Sequence, residues 1–218
     1  MNDQEIFCRI DHTLLCADSS ESEIDALCEE ALKYHTASAC IPPSYVRHAH
    51  EKFPELNICT VIGFPLGYST TAVKCFEAHE AVENGACEID MVINLGYVRN
   101  GRFDDITSEI AKVKKACNGK VLKVIVETCA LTKEDKIKLC KCVSDSGADY
   151  IKTSTGFGAS GAKISDIKLF KEHIRHGVKI KASGGIKTRE NLEAFINEGC
   201  DRIGTSSAVR LLTGGEGK

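Results

Sequence analysis

The chain has 218 residues, with 28 lysines and arginines against 31 aspartates and glutamates, for a formal net charge of -3. Hydrophobic residues make up 43% and tryptophan is absent, which is the composition of an ordinary globular protein with enough apolar residues for a sizeable core. The densest basic run, Lys112 to Lys120, is flanked by acids. We interpret it as a solvated helix face, so nucleic acid is not an expected partner.

The amino terminus, Met1 to Glu5, is acidic and lacks the basic and apolar regions of a signal peptide. No stretch reaches the apolar length needed to cross a bilayer, so a cytoplasmic protein without a membrane partner is expected. Twelve cysteines are many, but several lie inside apolar runs and no Cys-x-x-Cys pair occurs. Reduced thiols are therefore expected, rather than a disulfide framework or a zinc site.

Short β-branched runs alternate with longer amphipathic segments along the whole chain, which predicts βαβ units around a parallel sheet. The predicted strands are Arg9 to Thr13, Ser38 to Ile41, Ile58 to Gly63, Glu88 to Ile93, Val121 to Glu127, Asp149 to Thr153, Val178 to Ala182 and Asp201 to Gly204. The predicted helices are Ser22 to His35, Ser44 to Lys52, Thr70 to Asn84, Phe103 to Ala116, Lys133 to Ser146, Ile164 to His176, Arg189 to Glu198 and Ser206 to Leu212.

Capping signals support these boundaries. Ser20 and Glu23 have capping-box spacing, and Thr132 and Thr188 precede helices as N-caps. Glycines follow four helices at the point where a left-handed residue is wanted; they are Gly85, Gly147, Gly177 and Gly199.

Eight such units, without a linker or a low-complexity segment, favour a single-domain TIM (β/α)8 barrel over residues 1–218. The alternative is a doubly wound open sheet. That fold would ordinarily carry a Gly-x-Gly-x-x-Gly fingerprint after its first strand, whereas Asp11-His12-Thr13-Leu14-Leu15 stands there.

Two lysines lie near the carboxyl ends of short apolar strands. Lys152 is followed by hydroxyl residues and Gly156, and Lys181 by Ser183 and a glycine pair. A lysine becomes a nucleophile near neutral pH when burial or a neighbouring cation favours its uncharged form, and two lysines placed in this way supply both influences. The pair therefore indicates imine chemistry at the mouth of the barrel.

Other charges also interrupt apolar strands. Asp90 is flanked by apolar residues, so it needs a charged or hydrogen-bonding partner, and a lysine is the natural one. Asp11 is expected to orient a substrate hydroxyl or a lysine, with an ordinary strand-end carboxylate as the alternative. Lys123 is expected to support hydrogen bonds of the site. Lys179 shares the alternation parity of Lys181, and we place it at the opposite, solvent-facing rim.

Phosphate binding is predicted at the loops after strands seven and eight, where barrel enzymes often hold phosphate. These loops contain a glycine pair, two serines at the start of a short helix, and further hydroxyl and glycine residues on the neighbouring loop. The predicted substrate-binding residues are Asp11, Thr153, Gly156, Gly184, Gly185, Gly204, Ser206 and Ser207.

A metal site is not predicted. His48 and His50, like His173 and His176, fall on predicted helix or loop surfaces, and His12 alone lies near a catalytic strand end. A Gly-x-Ser-x-Gly nucleophile elbow is also missing from the sequence.

Six segments resemble the deoxyribose-phosphate aldolase family of class I aldolases, and the resemblance covers nearly the whole chain. The two most specific segments are Tyr150-Ile151-Lys152-Thr153-Ser154-Thr155-Gly156 and Lys181-Ala182-Ser183-Gly184-Gly185-Ile186. The other four are Ile10-Asp11-His12-Thr13-Leu14-Leu15, Val61-Ile62-Gly63-Phe64-Pro65-Leu66-Gly67, Glu88-Ile89-Asp90-Met91-Val92-Ile93-Asn94 and Leu122-Lys123-Val124-Ile125-Val126-Glu127-Thr128.

The resemblance implies a barrel fold, a sugar-phosphate substrate that is cleaved to aldehydes, and no cofactor. It implies that Lys152 forms the Schiff base, while Asp90 and Lys181 act as the proton-transfer pair. The implied reaction is reversible cleavage of 2-deoxy-D-ribose 5-phosphate to acetaldehyde and D-glyceraldehyde 3-phosphate. The sequence leaves the oligomeric state open, and a homo-oligomer is one outcome.

This sequence departs from the family pattern at two places. Phe157 stands where some members carry a lysine, which removes one charged phosphate contact. The tail, Thr213 to Lys218, lacks the terminal tyrosine that assists proton transfer in some members. Cys40 matches a cysteine near the site in some relatives, which implies sensitivity to aldehydes rather than a catalytic role.

Two rival functions remain at this point. A barrel isomerase or synthase would share the phosphate loops and use Asp90 and Asp11 as acid and base without an imine. A metabolite-binding protein would keep the phosphate site and have no turnover. Trapping of an acetaldehyde adduct on Lys152 with borohydride separates the aldolase from the isomerase or synthase. The metabolite-binding protein would instead bind sugar phosphate without releasing an aldehyde.

Overall fold

Eight parallel strands close into a barrel in chain order, with β1 paired to β8. The computed structural model describes residues 1–175 and 177–214. The strands are β1 Ile10–Thr13, β2 Ser38–Ile41, β3 Ile58–Ile62, β4 Glu88–Val92, β5 Val121–Ile125, β6 Tyr150–Lys152, β7 Lys179–Ser183 and β8 Arg202–Thr205. The predicted TIM barrel is confirmed.

Helices surround the barrel. Within the described residues they are α1 Asp3–Phe7, α2 Glu21–Tyr34, α3 Val46–Lys52, α4 Thr71–Glu83, α5 Leu95–Arg99, α6 Phe103–Ala116, α7 Lys133–Asp145, α8 Ile164–His173, α9 Arg189–Glu198 and α10 Ala208–Thr213. Short 3₁₀ turns at Pro43–Tyr45 and Thr128–Ala130 complete the set. The sequence did not predict α1, α5 or either turn. His176, the last residue of the helix predicted before the seventh strand, lies outside the described residues.

The predicted N-caps are confirmed. Ser20 and Glu23 form a capping box at the start of α2, and the hydroxyls of Thr132 and Thr188 accept from backbone amides at the starts of α7 and α9. Three of the predicted helix-ending glycines, Gly85, Gly147 and Gly199, lie at helix ends with a positive φ. The prediction is wrong for Gly177, because α8 ends at His173 and is capped by Ile174.

Alternation along the strands separates the apolar core from the barrel interior. On β4, Ile89 and Met91 are fully buried in the core that the helices cover, whereas Asp90 between them points the other way. On β6, Ile151 belongs to the same core and Lys152 does not. The apolar residues therefore hold the helices on the sheet, and the inward positions are left for polar and charged side chains.

The predicted fifth strand is too long at its end. The structure ends β5 at Ile125, and Glu127 adopts a left-handed backbone conformation with φ of 56°. Its carboxylate accepts hydrogen bonds from the amide and the hydroxyl of Thr155. The side chain thus fastens the loop after β5 to the loop after β6, beside the mouth of the barrel.

Lys179 lies where the sequence predicted, at the exposed start of β7, paired in register with Tyr150. Two residues later the same face of the strand carries Lys181, which is fully buried. One strand thus spans the barrel from a solvated rim to the site.

Over the part of the chain that the structure describes, none of the helices combines the length and apolar character needed to span a membrane.

Candidate active site

Lys152 is the last residue of β6 and is 3% exposed. It lies in the wall of a cavity of about 310 Å³ at the carboxyl ends of the strands. Register pairs it directly with Lys181 on β7, because both lysines occupy the same level of the barrel. The two lysines that the sequence singled out are therefore neighbours.

Asp90 joins the two lysines. Its Oδ2 atom lies 2.6 Å from Nζ of Lys152 and 2.7 Å from Nζ of Lys181. Asp90 and Lys181 are fully buried and do not line the cavity, so Lys152 is the member of the three that the cavity reaches. The structure brings all three predicted catalytic residues together.

A second layer of charges lies below these three residues. Lys123 contacts Oδ1 of Asp90 at 2.9 Å and Glu88 at 2.5 Å. Arg202 contacts both Glu88, at 3.0 Å, and Asp11. Sequence reasoning missed Glu88 and Arg202; each is the first residue of its strand, and the available signal was a charge at an inward-facing position.

Burial and charge act in opposite directions in this cluster. Burial alone would raise the pKa of Asp90, but the three lysines around it outweigh burial and hold its pKa well below the ordinary value. Burial lowers the pKa of Lys181, yet Asp11 and Asp90 outweigh burial and raise it above the ordinary value. The same balance raises the pKa of Lys123. Asp90 is therefore ionised, and Lys181 and Lys123 are charged.

The structure places Asp11, one of the predicted substrate-binding residues, in the buried charge cluster. Asp11 is fully buried, contacts Lys181 and accepts a hydrogen bond from the Ser38 hydroxyl at 2.8 Å. It does not line the cavity. Of the two roles expected for this carboxylate, the geometry fits contact with a lysine.

Thr153 is likewise not in contact with the cavity. Its hydroxyl accepts from the amide of Ser183 at 3.1 Å, which ties the end of β6 to the end of β7. The other six predicted substrate-binding residues line the cavity; they are Gly156, Gly184, Gly185, Gly204, Ser206 and Ser207. Helix α10 begins at Ala208, two residues later than predicted.

Glycine is required where the loops after β6 and β7 meet. Gly184 and Gly185 have φ values of +81° and +73°, which favour glycine. A Cβ atom on Gly161 would lie 2.0 Å from the carbonyl oxygen of Gly184, and the amide of Ala162 donates to that oxygen. The close approach of the two backbones shapes the cavity wall next to Lys152.

Lys187 was missed by sequence reasoning, although it lies two residues after the glycine pair. It lines the same cavity as Ser206 and Ser207. Phe157 also lines the cavity; it is 58% exposed and packs edge-on against Phe64 at 5.3 Å between ring centroids. A lysine therefore lines the cavity, on a different loop from Phe157.

Cys40 is fully buried and does not line the cavity. Contact with Cys59 lowers the pKa of the Cys40 thiol against the opposing effect of burial. Cys59 donates to Oδ1 of Asp90 at 3.3 Å, and burial raises the pKa of its thiol well above the ordinary value. These three residues are close enough to share an ion, but the lysines already neutralise Asp90.

The comparisons with known proteins agree with this geometry. Residues 6–210 match the model of the family described as DeoC/LacD family aldolase. The chain is 55% identical to the deoxyribose-phosphate aldolase of Clostridium botulinum (strain Alaska E43 / Type E3), covering 99% of this chain and 98% of that protein. It is 53% identical to that of Clostridioides difficile (strain 630), covering 93% of each.

The structure of deoxyribose phosphate aldolase from Aeropyrum pernix, described as tetrameric, superimposes with a TM-score of 0.90 at 32% identity, covering 97% of this chain and 91% of that one. The chain belongs to the DeoC/LacD family of aldolases. Its relatives within that family are deoxyribose-phosphate aldolases, so it is an enzyme of the lyase class that acts as an aldolase. This membership decides against both the isomerase or synthase and the binding protein without turnover.

Proposed function

We propose that this enzyme reversibly cleaves 2-deoxy-D-ribose 5-phosphate to D-glyceraldehyde 3-phosphate and acetaldehyde through a Schiff base on Lys152. The observation that carries the proposal is the contact of one carboxylate, Asp90, with both Lys181 and Lys152, the lysine that lines the cavity. The names of the relatives supply the substrate.

In the synthetic direction, the uncharged amine of Lys152 attacks the carbonyl carbon of acetaldehyde, and loss of water leaves an iminium ion. The iminium withdraws electrons from the adjacent methyl carbon. Removal of a methyl proton then gives an enamine, whose carbon attacks the aldehyde carbon of glyceraldehyde 3-phosphate. The new alkoxide takes up a proton, and hydrolysis of the second iminium frees Lys152.

Asp90 and Lys181 supply the proton transfers in this scheme. Both Lys152 and Lys181 touch the same carboxylate oxygen, so a proton has a short path between the two nitrogens. Because the pKa of Lys181 is raised, it stays charged, and its positive charge favours the neutral form of the neighbouring amine. A water molecule is a suitable carrier between this pair and the substrate carbon.

The phosphate lies, in this proposal, at the glycine and serine end of the cavity. The loops after β7 and β8 offer backbone amides and two serine hydroxyls there, and Lys187 adds a positive charge. Anchoring the phosphate holds the acceptor aldehyde near Lys152 and lowers the entropic barrier to carbon–carbon bond formation.

Reduction with borohydride in the presence of acetaldehyde tests the proposal. We expect one stable adduct, with the mass of an ethyl group, on the peptide that contains Lys152, and deoxyribose phosphate should compete with its formation. Lys152→Ala should abolish both the adduct and cleavage, whereas the matched variant Lys179→Ala should keep both. An adduct on another lysine, or turnover by Lys152→Ala, would refute the assignment.

We also propose that several copies of the chain assemble, on the strength of the tetrameric relative. Light scattering of the purified enzyme measures the mass directly, and a mass of one chain at all concentrations would contradict this proposal.

A further inference from the structure

The barrel interior below Lys152 contains a closed set of charged side chains. It has three carboxylates, Asp11, Glu88 and Asp90, and three cations, Lys123, Lys181 and Arg202. Five of the six are at most 4% exposed, and Arg202, at the bottom, is 13% exposed at its side chain. Water screens charges poorly in such a place.

The contacts form a ring. On one side, Asp90 contacts Lys123 at 2.9 Å, and Lys123 contacts Glu88 at 2.5 Å. Glu88 contacts Arg202 at 3.0 Å.

On the other side, Arg202 contacts Asp11, which contacts Lys181. Lys181 closes the ring on Asp90 at 2.7 Å. Two carboxylates of the ring also accept hydrogen bonds from neutral donors. The Ser38 hydroxyl donates to Asp11 and the Asn57 side-chain amide donates to Glu88, each at 2.8 Å.

The three negative and three positive charges of this ring sum to zero. Lys152 is a seventh group, and no negative charge of the ring is left to balance a proton on it. A proton on Lys152 would leave one uncompensated positive charge in a buried site, which is energetically costly. Of the three lysines, Lys152 is the one expected to give up its proton. It contacts one carboxylate, whereas Lys181 contacts two and Lys123 contacts three.

The other titratable groups that face the ring are Tyr150, Cys40 and Cys59. Tyr150 presents its ring to Arg202, at 5.9 Å from the centroid. Cys59 donates to Asp90 and is counted as a thiol, because burial raises its pKa. Cys40 is also taken as an uncharged thiol in this sum of charges, and the Cys40→Ala variant tests that assignment.

We propose that Lys123 and Glu88 are positioning residues, which keep the buried ring electrically balanced so that Lys152 is uncharged and nucleophilic. The proposal rests on the function given above. The sequence indicated only that Lys123 supports hydrogen bonds of the site. In this proposal the charge of Lys123 also sets the total number of protons that the ring and Lys152 hold.

The test is the pH dependence of cleavage and of borohydride-trapped adduct in Lys123→Met, Glu88→Gln and the double variant. Lys123→Met leaves the ring with one excess negative charge. Lys152 then takes up a proton before any carboxylate, because the ordinary pKa of lysine is higher by about six units. We expect at least about a tenfold loss of adduct at pH 7, with recovery as the pH rises.

The double variant, Lys123→Met with Glu88→Gln, has two carboxylates and two cations and is balanced again. Its pH profile should return to that of the wild type, even where its maximal rate is lower. Glu88→Gln alone should show no shift to higher pH. Cys40→Ala should leave the profile unchanged.

The proposal fails if Lys123→Met loses the same factor at every pH, or if the double variant has the alkaline profile of the single one. It also fails if Cys40→Ala shifts the profile as far as Lys123→Met. Thermal melting identifies a variant that does not fold. If Lys123→Met does not fold, the double variant carries the test, and a shift of its pH profile to higher pH would refute the proposal. Failure of the proposed function is distinct, because the wild type would then give no adduct at any pH.

Discussion

The pKa values of two buried lysines in different regions of the molecule are shifted in opposite directions. In the barrel interior, Lys181 lies 2.7 Å from Asp90. In the helix layer, Lys74 on α4 lies 3.0 Å from Glu109 on α6. Both lysine side chains are fully buried. The pKa of Lys181 is raised, with Asp11 and Asp90 outweighing burial, whereas burial lowers the pKa of Lys74 below the ordinary value of 10.5.

The number of carboxylates explains the difference. Lys181 meets two carboxylates, and Lys74 meets Glu109 together with the carbonyl oxygen of Val92, at 2.9 Å. Burial lowers the pKa of both lysines, and the second carboxylate beside Lys181 is what makes its charged form stable. A buried lysine is therefore not by itself a sign of a reactive amine; its carboxylate count sets its charge.

The largest effect is expected for Lys181→Leu. Loss of this cation removes the proton donor beside Lys152 and leaves a negative charge in the ring, so the rate of cleavage should fall by roughly 10³-fold or more. Phosphate affinity should change little, because Lys181 does not line the cavity. Steady-state kinetics and titration with inorganic phosphate measure the two quantities. Near-normal cleavage would contradict the role given to Lys181.

In the helix layer the expected effect is on stability. Lys74→Met leaves Glu109 buried without its cation, so the free energy of unfolding should fall by about 3–5 kcal/mol. Catalysis per folded molecule should be preserved, since Lys74 is outside the cavity lining. Urea denaturation and activity measured on the same samples check both parts.

The double variant, Lys74→Met with Glu109→Leu, is the control for this effect. Replacing both charges by apolar groups removes the burial penalty, and most of the lost stability should return. A double variant as unstable as the single one would mean that packing, rather than the unpaired carboxylate, causes the loss.

The sequence predicted the two regions unequally. The barrel and its three inner residues followed from charges at the ends of apolar strands, together with the resemblance to a family. The buried pair of Lys74 and Glu109 was not predicted. Both residues lie on helices with many other charges, and a helix pattern does not say which charge faces a neighbouring helix.

The inner ring shows the same limit. Lys123 and Asp90 were noticed because apolar residues flank them, but Arg202 and Glu88 stand at the first positions of β8 and β4, where charges are ordinary. Asp11, on the first predicted strand, was expected to orient a substrate hydroxyl or a lysine. Its true position depends on strand register and on how far Lys181 reaches across the barrel, which are properties of the closed sheet.

A smaller effect, on the pH dependence of stability, should distinguish Lys74 from Lys181 at alkaline pH. For Lys74, whose pKa is lowered, the native state holds fewer protons than the unfolded state, so its contribution to stability rises as pH approaches 10.5. For Lys181, whose pKa is raised, the contribution is complete below the ordinary value and is lost above it.

Urea midpoints at pH 8.5, 9.5 and 10.5 test this difference, with the Lys74→Met, Glu109→Leu double variant as the reference. Stability of the wild type relative to that variant should rise across this range, by less than about 1.4 kcal/mol per pH unit, the limit for one proton. A relative fall would mean that Lys74 behaves like Lys181.

The smallest effect is expected at the third lysine, Lys179, which shares β7 and its inward parity with Lys181. Its Nζ atom lies 5.6 Å from the ring centroid of Tyr150 at the exposed end of the barrel, remote in function from Lys152. Lys179→Ala should cost about 0.5–1 kcal/mol of unfolding free energy, the size of an exposed cation–π contact, and change cleavage by less than about twofold. Denaturation and kinetics of this variant, measured beside those of Lys181→Leu, show whether the effect on cleavage depends on the position of the lysine or only on its being a lysine. If Lys179→Ala impaired cleavage as strongly, a lysine's reactivity here would not depend on the two carboxylates that Lys181 meets.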